Sequence, residues 1–230
     1  MARRSARKAA GLGPPAGERP SHAVPPARRR LSRVALAAVA AVVVAGGVAG
    51  FALSRSGGSQ SVAASKEIDW GRVPRLQSAP PWPSESRLLP QRLGPSGLDA
   101  LTMEGTVLHH HEHLDLYVNG RKEVVPALVG IDEQAGFLTE LHTHDASGII
   151  HIESPVQRSF TLGQFFCEWG VKLTSTCLGP YRGRVSWWVN GRRMHGDPAQ
   201  LVLRQHQEIA IAAGTPPVKV PASYSFPAGL

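Results

Sequence analysis

From Gly105 onward, hydrophobic and polar positions alternate in short runs rather than in long helical stripes. Thr106–His109, His113–Val118, Lys122–Val125, Gly148–Ile152, Val185–Val189, Gln200–Leu203 and Glu208–Ala212 are each four to six residues long, rich in β-branched or aromatic side chains, and read as strands. Asn119-Gly120 and Asn190-Gly191 each follow a strand and precede an arginine. Asn and Gly tolerate positive φ, so these dipeptides predict tight hairpins, and the phrases Leu116–Arg121 and Trp188–Arg192 read as one supersecondary element used twice. One helix is expected: Thr161 caps a segment opening at Leu162, Phe165, Phe166 and Trp169 recur at helical spacing, and Gly170 stands where a left-handed terminal residue belongs. The helix would cover the sheet, which makes the fold class α+β and sheet-rich.

The order of a strand at 149, Phe160–Gly170, Val185–Gly191, Leu201–Leu203 and Ile209–Gly214 resembles the β-grasp (ubiquitin-like) layout of the small sulfur-carrier proteins. The resemblance covers about residues 149–214 and implies a fold only. Those carriers end in a free Gly-Gly that does the chemistry, whereas this chain runs on to Pro-Ala-Gly-Leu230.

Upstream the pattern changes. Residues 34–53 form an uncharged, apolar run of 20 residues, long enough at about 1.5 Å per residue to span a hydrocarbon core of about 30 Å. Arg28, Arg29, Arg30 and Arg33 precede it and only Arg55 follows closely, so residues 1–33 are expected in the cytoplasm and the rest outside a single-pass anchor. Val62-Ala63-Ala64 resembles a signal-peptidase site, but it lies well beyond an apolar run that is itself longer than a signal-peptide core. Residues 54–104 read as linker and stalk: Ser54–Ser61 has flexible composition, and Pro74–Pro95 favours extended chain, with Trp70 and Trp82 expected at the surface or solvated. That leaves 105–214 as the folded unit and 215–230 as a C-terminal tail.

Charge removes one functional class. The net charge is +8, but residues 1–33 hold nine of the 25 basic residues against Glu18 alone, so the remainder is neutral. A neutral folded part gives no electrostatic footprint for nucleic acid.

The chemistry lies in the histidines. Seven of the ten (His109, His110, His111, His113, His142, His144 and His151) fall within 43 residues. Side chains two apart on a strand project the same way, so His111 with His113 and His142 with His144 are the natural chelating pairs, and His151 joins from a third segment. Asp145 and Glu153 are expected to orient ligand imidazoles through their second nitrogens. Such a set suits a divalent transition metal, zinc, copper or iron. His22, His195 and His206 are expected to stand apart. A solvated pH-sensitive patch is the alternative for the cluster.

The block Leu141–Pro155 (LHTHDASGIIHIESP) followed by Phe160–Phe166 (FTLGQFF), with an upstream His-x-His-Leu strand ending in Asn-Gly, resembles an uncharacterised family of bacterial membrane-anchored or secreted proteins. That resemblance implies a domain and no activity. Two enzyme motifs match in part. Gly105 and His111-Glu-His113 open like a cupin metal motif without its later glutamate, and His142-Thr-His144-Asp145 resembles the metallo-β-lactamase loop without its Asp-His pair. The leading expectation is therefore a membrane-anchored, extracytoplasmic metal-binding domain, with a metal-dependent hydrolase or cupin-like oxygenase second and a metal-free interaction module third. Cys167 and Cys177 are the only cysteines, and outside the membrane they are expected to pair. Closing that short loop would contribute about 2–4 kcal/mol.

Overall fold

The computed structural model describes residues 67–217 and 219–230. The basic tail and the apolar run 34–53 lie outside the described residues. Among the described residues no helix is long and apolar enough to cross a membrane.

In chain order the elements are α1 (Leu89–Ser96), β1 (Leu108–Val118), β2 (Arg121–Glu123), β3 (Ile131–Asp132), β4 (Phe137–Leu138), β5 (Leu141–His142), β6 (Ile149–Ser154), α2 (Leu162–Trp169), β7 (Leu173–Thr174), β8 (Cys177–Leu178), β9 (Tyr181–Arg182), β10 (Val185–Val189), β11 (Arg192–Arg193) and β12 (Glu208–Ala213). The expected strands at 106 and 113 are one continuous strand, because β6 pairs with its first half and β2 and β12 with its second. The main sheet runs β11-β10-β12-β1-β6-β5, with β2 also on β1. β1 and β12 lie parallel at its centre, and the other pairings are antiparallel.

Both predicted hairpins form. Asn119 and Gly120 have φ of 49° and 81°, and Asn190 and Gly191 have 50° and 72°, the doubly positive geometry whose twist matches the flanking strands. α2 is capped as expected: the Thr161 N–H donates to Gln164 Oε1 at 2.9 Å, and Gly170 ends the helix at φ 80°. Gln200–Leu203, expected as a strand, is instead a 3₁₀ turn at Pro198–Gln200 followed by a single bridge from Val202 to Thr161. Pro198 starts the turn, Asp197 accepts from the Ala199 N–H at 3.0 Å, and the next carbonyl and amide tie this segment to the start of α2 rather than to a sheet.

One sheet face carries the core. Leu114, Leu116, Ile150, Ile152, Ile209 and Ile211 are buried there against Leu162, Phe165, Phe166 and Trp169 of α2. The segment expected to be a solvated stalk is part of this packing from residue 67 onward. Trp82 is 1% exposed, meets Trp169 edge-on at 6.0 Å between ring centroids, and donates from its indole to the Ser78 carbonyl. α1 docks through Arg92, whose guanidinium donates to the Pro74 and Glu168 carbonyls and lies where a Cβ on Gly170 would be 2.3 Å from Nη2. The extended chain expected for Pro74–Pro95 gives way to a 3₁₀ turn at Ser86–Leu88 and to α1 at Leu89–Ser96, and the aromatic and aliphatic residues between the prolines bury enough surface to seat the segment on α2.

The expected disulfide is not formed. Both cysteines are free and buried: Cys167 faces Ile68 and Val73, while the Cys177 thiol donates to the Gly179 carbonyl at 3.2 Å. Each sulfur points into a different packing environment, so proximity in sequence does not become proximity of thiols.

Candidate metal centre

The sheet face away from α2 is polar at one end. Cross-strand partners share a face, and the register sets His109 opposite Glu153, His111 opposite His151 on β6, and His151 opposite His142 on β5. Three strands thus converge five imidazoles and one carboxylate, His144 following His142 at the exit of β5. The rings touch throughout: His109–His111 are 4.8 Å apart between centroids, His111–His151 4.6 Å, His142–His144 4.8 Å and His144–His151 4.5 Å, with His142 stacked on His151 at 5.5 Å.

Glu153 lies at the centre. Its Oε1 is 3.4 Å from His109 Nε2 and 3.4 Å from His151 Nδ1, and its Oε2 is 3.9 Å from His142 Nε2. The donors fall into two groups that share this carboxylate: His142, His144, His151 and Glu153, and His109, His111 and Glu153, within each of which all ligand atoms lie within 4.8 Å of one another. Tetrahedral zinc, with bonds of about 2.0–2.1 Å, separates its ligand atoms by about 3.3 Å. Small side-chain rotations suffice to close the difference.

Several imidazole nitrogens are buried without a hydrogen-bond partner among the described residues. His142 is fully buried, its Nδ1 donates to the Thr139 carbonyl at 3.0 Å, and its Nε2 has no partner among the described residues. That bond fixes the tautomer and leaves an Nε2 lone pair aimed at Glu153. Both nitrogens of His111, 3% exposed, also lack partners. Burial, reinforced by the neighbouring His151 and His109, lowers the His111 pKa to about 4, and burial likewise lowers that of His142 to about 4. Both rings are therefore neutral at physiological pH, the form that binds metal. Burial acts to raise the Glu153 pKa, but the His151 hydrogen bond and the charges of His142 and His109 outweigh it and lower the value.

Two of the expected residues stand elsewhere. His113 shares the sheet face with His111 but is one pleat further along, beside β12 rather than β5. Its Nδ1 meets Glu208 Oε2 at 2.7 Å and its Nε2 the Ser147 carbonyl at 3.0 Å, so neither nitrogen has a free lone pair, and Tyr224 stacks on the ring at 3.7 Å. His113, Asp115 and Glu208 also form a compact donor group; Tyr117 donates to Asp115 and Lys122 pairs with it, and Glu208 Oε1 has no partner among the described residues, but both nitrogens of His113 are already engaged. Asp145, expected to orient an imidazole, is exposed and accepts instead from the Ser147 N–H at 2.8 Å; the Ser147 hydroxyl first, and then this N–H, lower its pKa. The Thr139 carbonyl performs the orienting role on His142.

Sequence reasoning treated Glu153 as a supporting residue and left His109 outside the proposed ligands. The alternation His151-Ile-Glu153 already put Glu153 on the histidine face; what the sequence lacked was its pairing opposite His109. Glu104, 3.6 Å from exposed His144 through its Oε1, is a further acidic neighbour. The remaining part of this face is covered by the C-terminal segment, expected as a free tail: Val220 packs on Tyr117, Trp188, Ala210 and Ala212, and Phe226 stacks on His206. No family model, curated protein or solved structure matches this chain.

Proposed function

We propose that this protein is a membrane-anchored, extracytoplasmic domain that binds a divalent transition metal, zinc, copper or iron, through His142, His144, His151 and Glu153. The observation that carries this reading is the buried His142 Nε2, held without a protein partner and directed at Glu153 by the Thr139 bond. An unpaired buried acceptor costs about 1–3 kcal/mol, and a cation shared with two further imidazoles and a carboxylate removes that cost. Three imidazoles and one carboxylate give zinc its preferred coordination number with nitrogen and oxygen donors. The alternative of a solvated histidine patch does not account for two neutral imidazoles sealed from water.

The scaffold reading is a β-grasp. It is supported by the order β6-β1-β12-β10-β11 with β1 and β12 parallel at the centre and α2 across one face. In this reading the first hairpin strand is β1 rather than the strand at 149, and residues 119–148 are an insertion that carries His142 and His144. The anchor is residues 34–53, with the basic residues 1–33 in the cytoplasm. Protease added outside intact cells is expected to digest the domain and spare residues 1–33.

Elemental analysis of the full chain, extracted without an affinity tag, tests the binding reading. Stoichiometric metal that is lost in His142→Ala and His144→Ala and retained in His195→Ala supports it. Absence of metal from a folded wild-type chain refutes it.

A further inference from the structure

We propose that the same face holds two transition-metal ions bridged by Glu153, the second ion lying between His109, His111 and Glu153. This rests on the reading that His142, His144 and His151 bind the first ion, and goes beyond it in assigning a second position and its ligands.

Three observations carry the inference. Glu153 reaches imidazoles of both groups, Oε1 lying 3.4 Å from His109 Nε2 and 3.4 Å from His151 Nδ1, and Oε2 3.9 Å from His142 Nε2. A carboxylate that bridges two cations gives one oxygen to each, and ions in two-metal sites stand about 3.5–4 Å apart. The second observation is His111, buried with both ring nitrogens unpartnered among the described residues. The first group does not include it, so a mononuclear centre leaves a buried polar ring unexplained. The third is the ligand count: five imidazoles and a carboxylate exceed the four ligands of a tetrahedral ion, and they divide into two groups with Glu153 common to both.

Charge and exposure give the second ion its chemistry. Neutral imidazoles and a single carboxylate leave two dications with an excess of positive charge. The second ion has three protein ligands, and His109 at its edge is 52% exposed. Its remaining position opens to solvent and accepts water, hydroxide or an oxyanion; the first ion lies among buried His142 and His151 and exposed His144.

Cobalt(II) loading of the chelator-stripped full chain tests this. The expected result is two cobalt ions per chain, with magnetic coupling between them in electron paramagnetic resonance. His109→Ala, at a half-exposed position that leaves the fold intact by circular dichroism, is expected to weaken the second ion at least about 10–100-fold. It should leave one cobalt with the uncoupled signal of an isolated ion. Glu153→Gln is expected to abolish the coupling. One cobalt in the wild type, lost in His142→Ala and unaffected by His109→Ala and His111→Ala, overturns the bridged pair while sparing the first site. Two uncoupled ions retained in Glu153→Gln also overturn it, and no cobalt at all overturns the underlying metal reading.

Discussion

Replacing His142 by leucine separates a ligand from a packing residue. His142 is fully buried, so the substitution keeps most of its volume and its apolar contacts. It removes the Nδ1 hydrogen bond to the Thr139 carbonyl, a loss of about 1 kcal/mol, and also removes the unpartnered Nε2, whose burial costs about 1–3 kcal/mol. In chelator the two terms nearly cancel, and the variant is expected within about 1 kcal/mol of wild type. Metal makes the difference. A ligand at 100 times its dissociation constant stabilises the native state by about 2.7 kcal/mol, which for a domain of this size raises the melting temperature by about 5–10 °C. Differential scanning calorimetry with zinc and with chelator is expected to show that shift in wild type and none in His142→Leu. A variant less stable than wild type by several kcal/mol in chelator, or one that keeps the full zinc-induced shift, would refute the argument that the unpartnered His142 Nε2 serves a cation.

The metal-free protein has a defined acid response at the same residues. With folded pKa values near 4 for His111 and His142 against 6.5 unfolded, the folded state binds fewer protons. Their stabilising contribution is complete above pH 6.5 and lost as pH falls toward 4; imidazole NMR titration midpoints near 6.5 would contradict this. Burial, aided by the neighbouring Glu168, raises the Cys167 pKa to about 12, so iodoacetamide at pH 8 is expected to spare Cys167 in the native protein and to label both cysteines after unfolding. A mass two daltons lower, with no labelling of the unfolded chain, would instead establish a disulfide. Trp82→Ala is expected to cost about 3–5 kcal/mol in denaturant unfolding, as for other buried tryptophans; a change under about 0.5 kcal/mol would return residues 74–95 to a stalk outside the fold.

What the sequence determined by itself is local. The Asn-Gly hairpins depend on the φ preferences of two adjacent residues, and α2 is delimited by Thr161, Gln164 and Gly170, all within or beside one short segment. The strands β10 and β12 were legible because alternation is a property of consecutive positions, and the same alternation put His109, His111 and His113 on one face. Where along that face each side chain finds partners was a matter of register between segments far apart in the chain. His111 stands opposite His151, which in turn stands opposite His142 of β5, while His113, only two residues on, stands opposite Glu208 and is consumed by it. Glu153 moved from supporting residue to the centre of the site because β6 runs antiparallel to β1 in the register that sets it opposite His109. The fate of Trp82 and Arg92 was likewise tertiary: Arg92 stands on α1 rather than on extended chain, and the burial of both depends on α2, more than 70 residues later, offering Trp169 and the Glu168 carbonyl. Short-range rules act through bonds and turns that one segment contains, whereas site membership depends on side chains from separate strands meeting in space, and that is decided only when the whole sheet pairs.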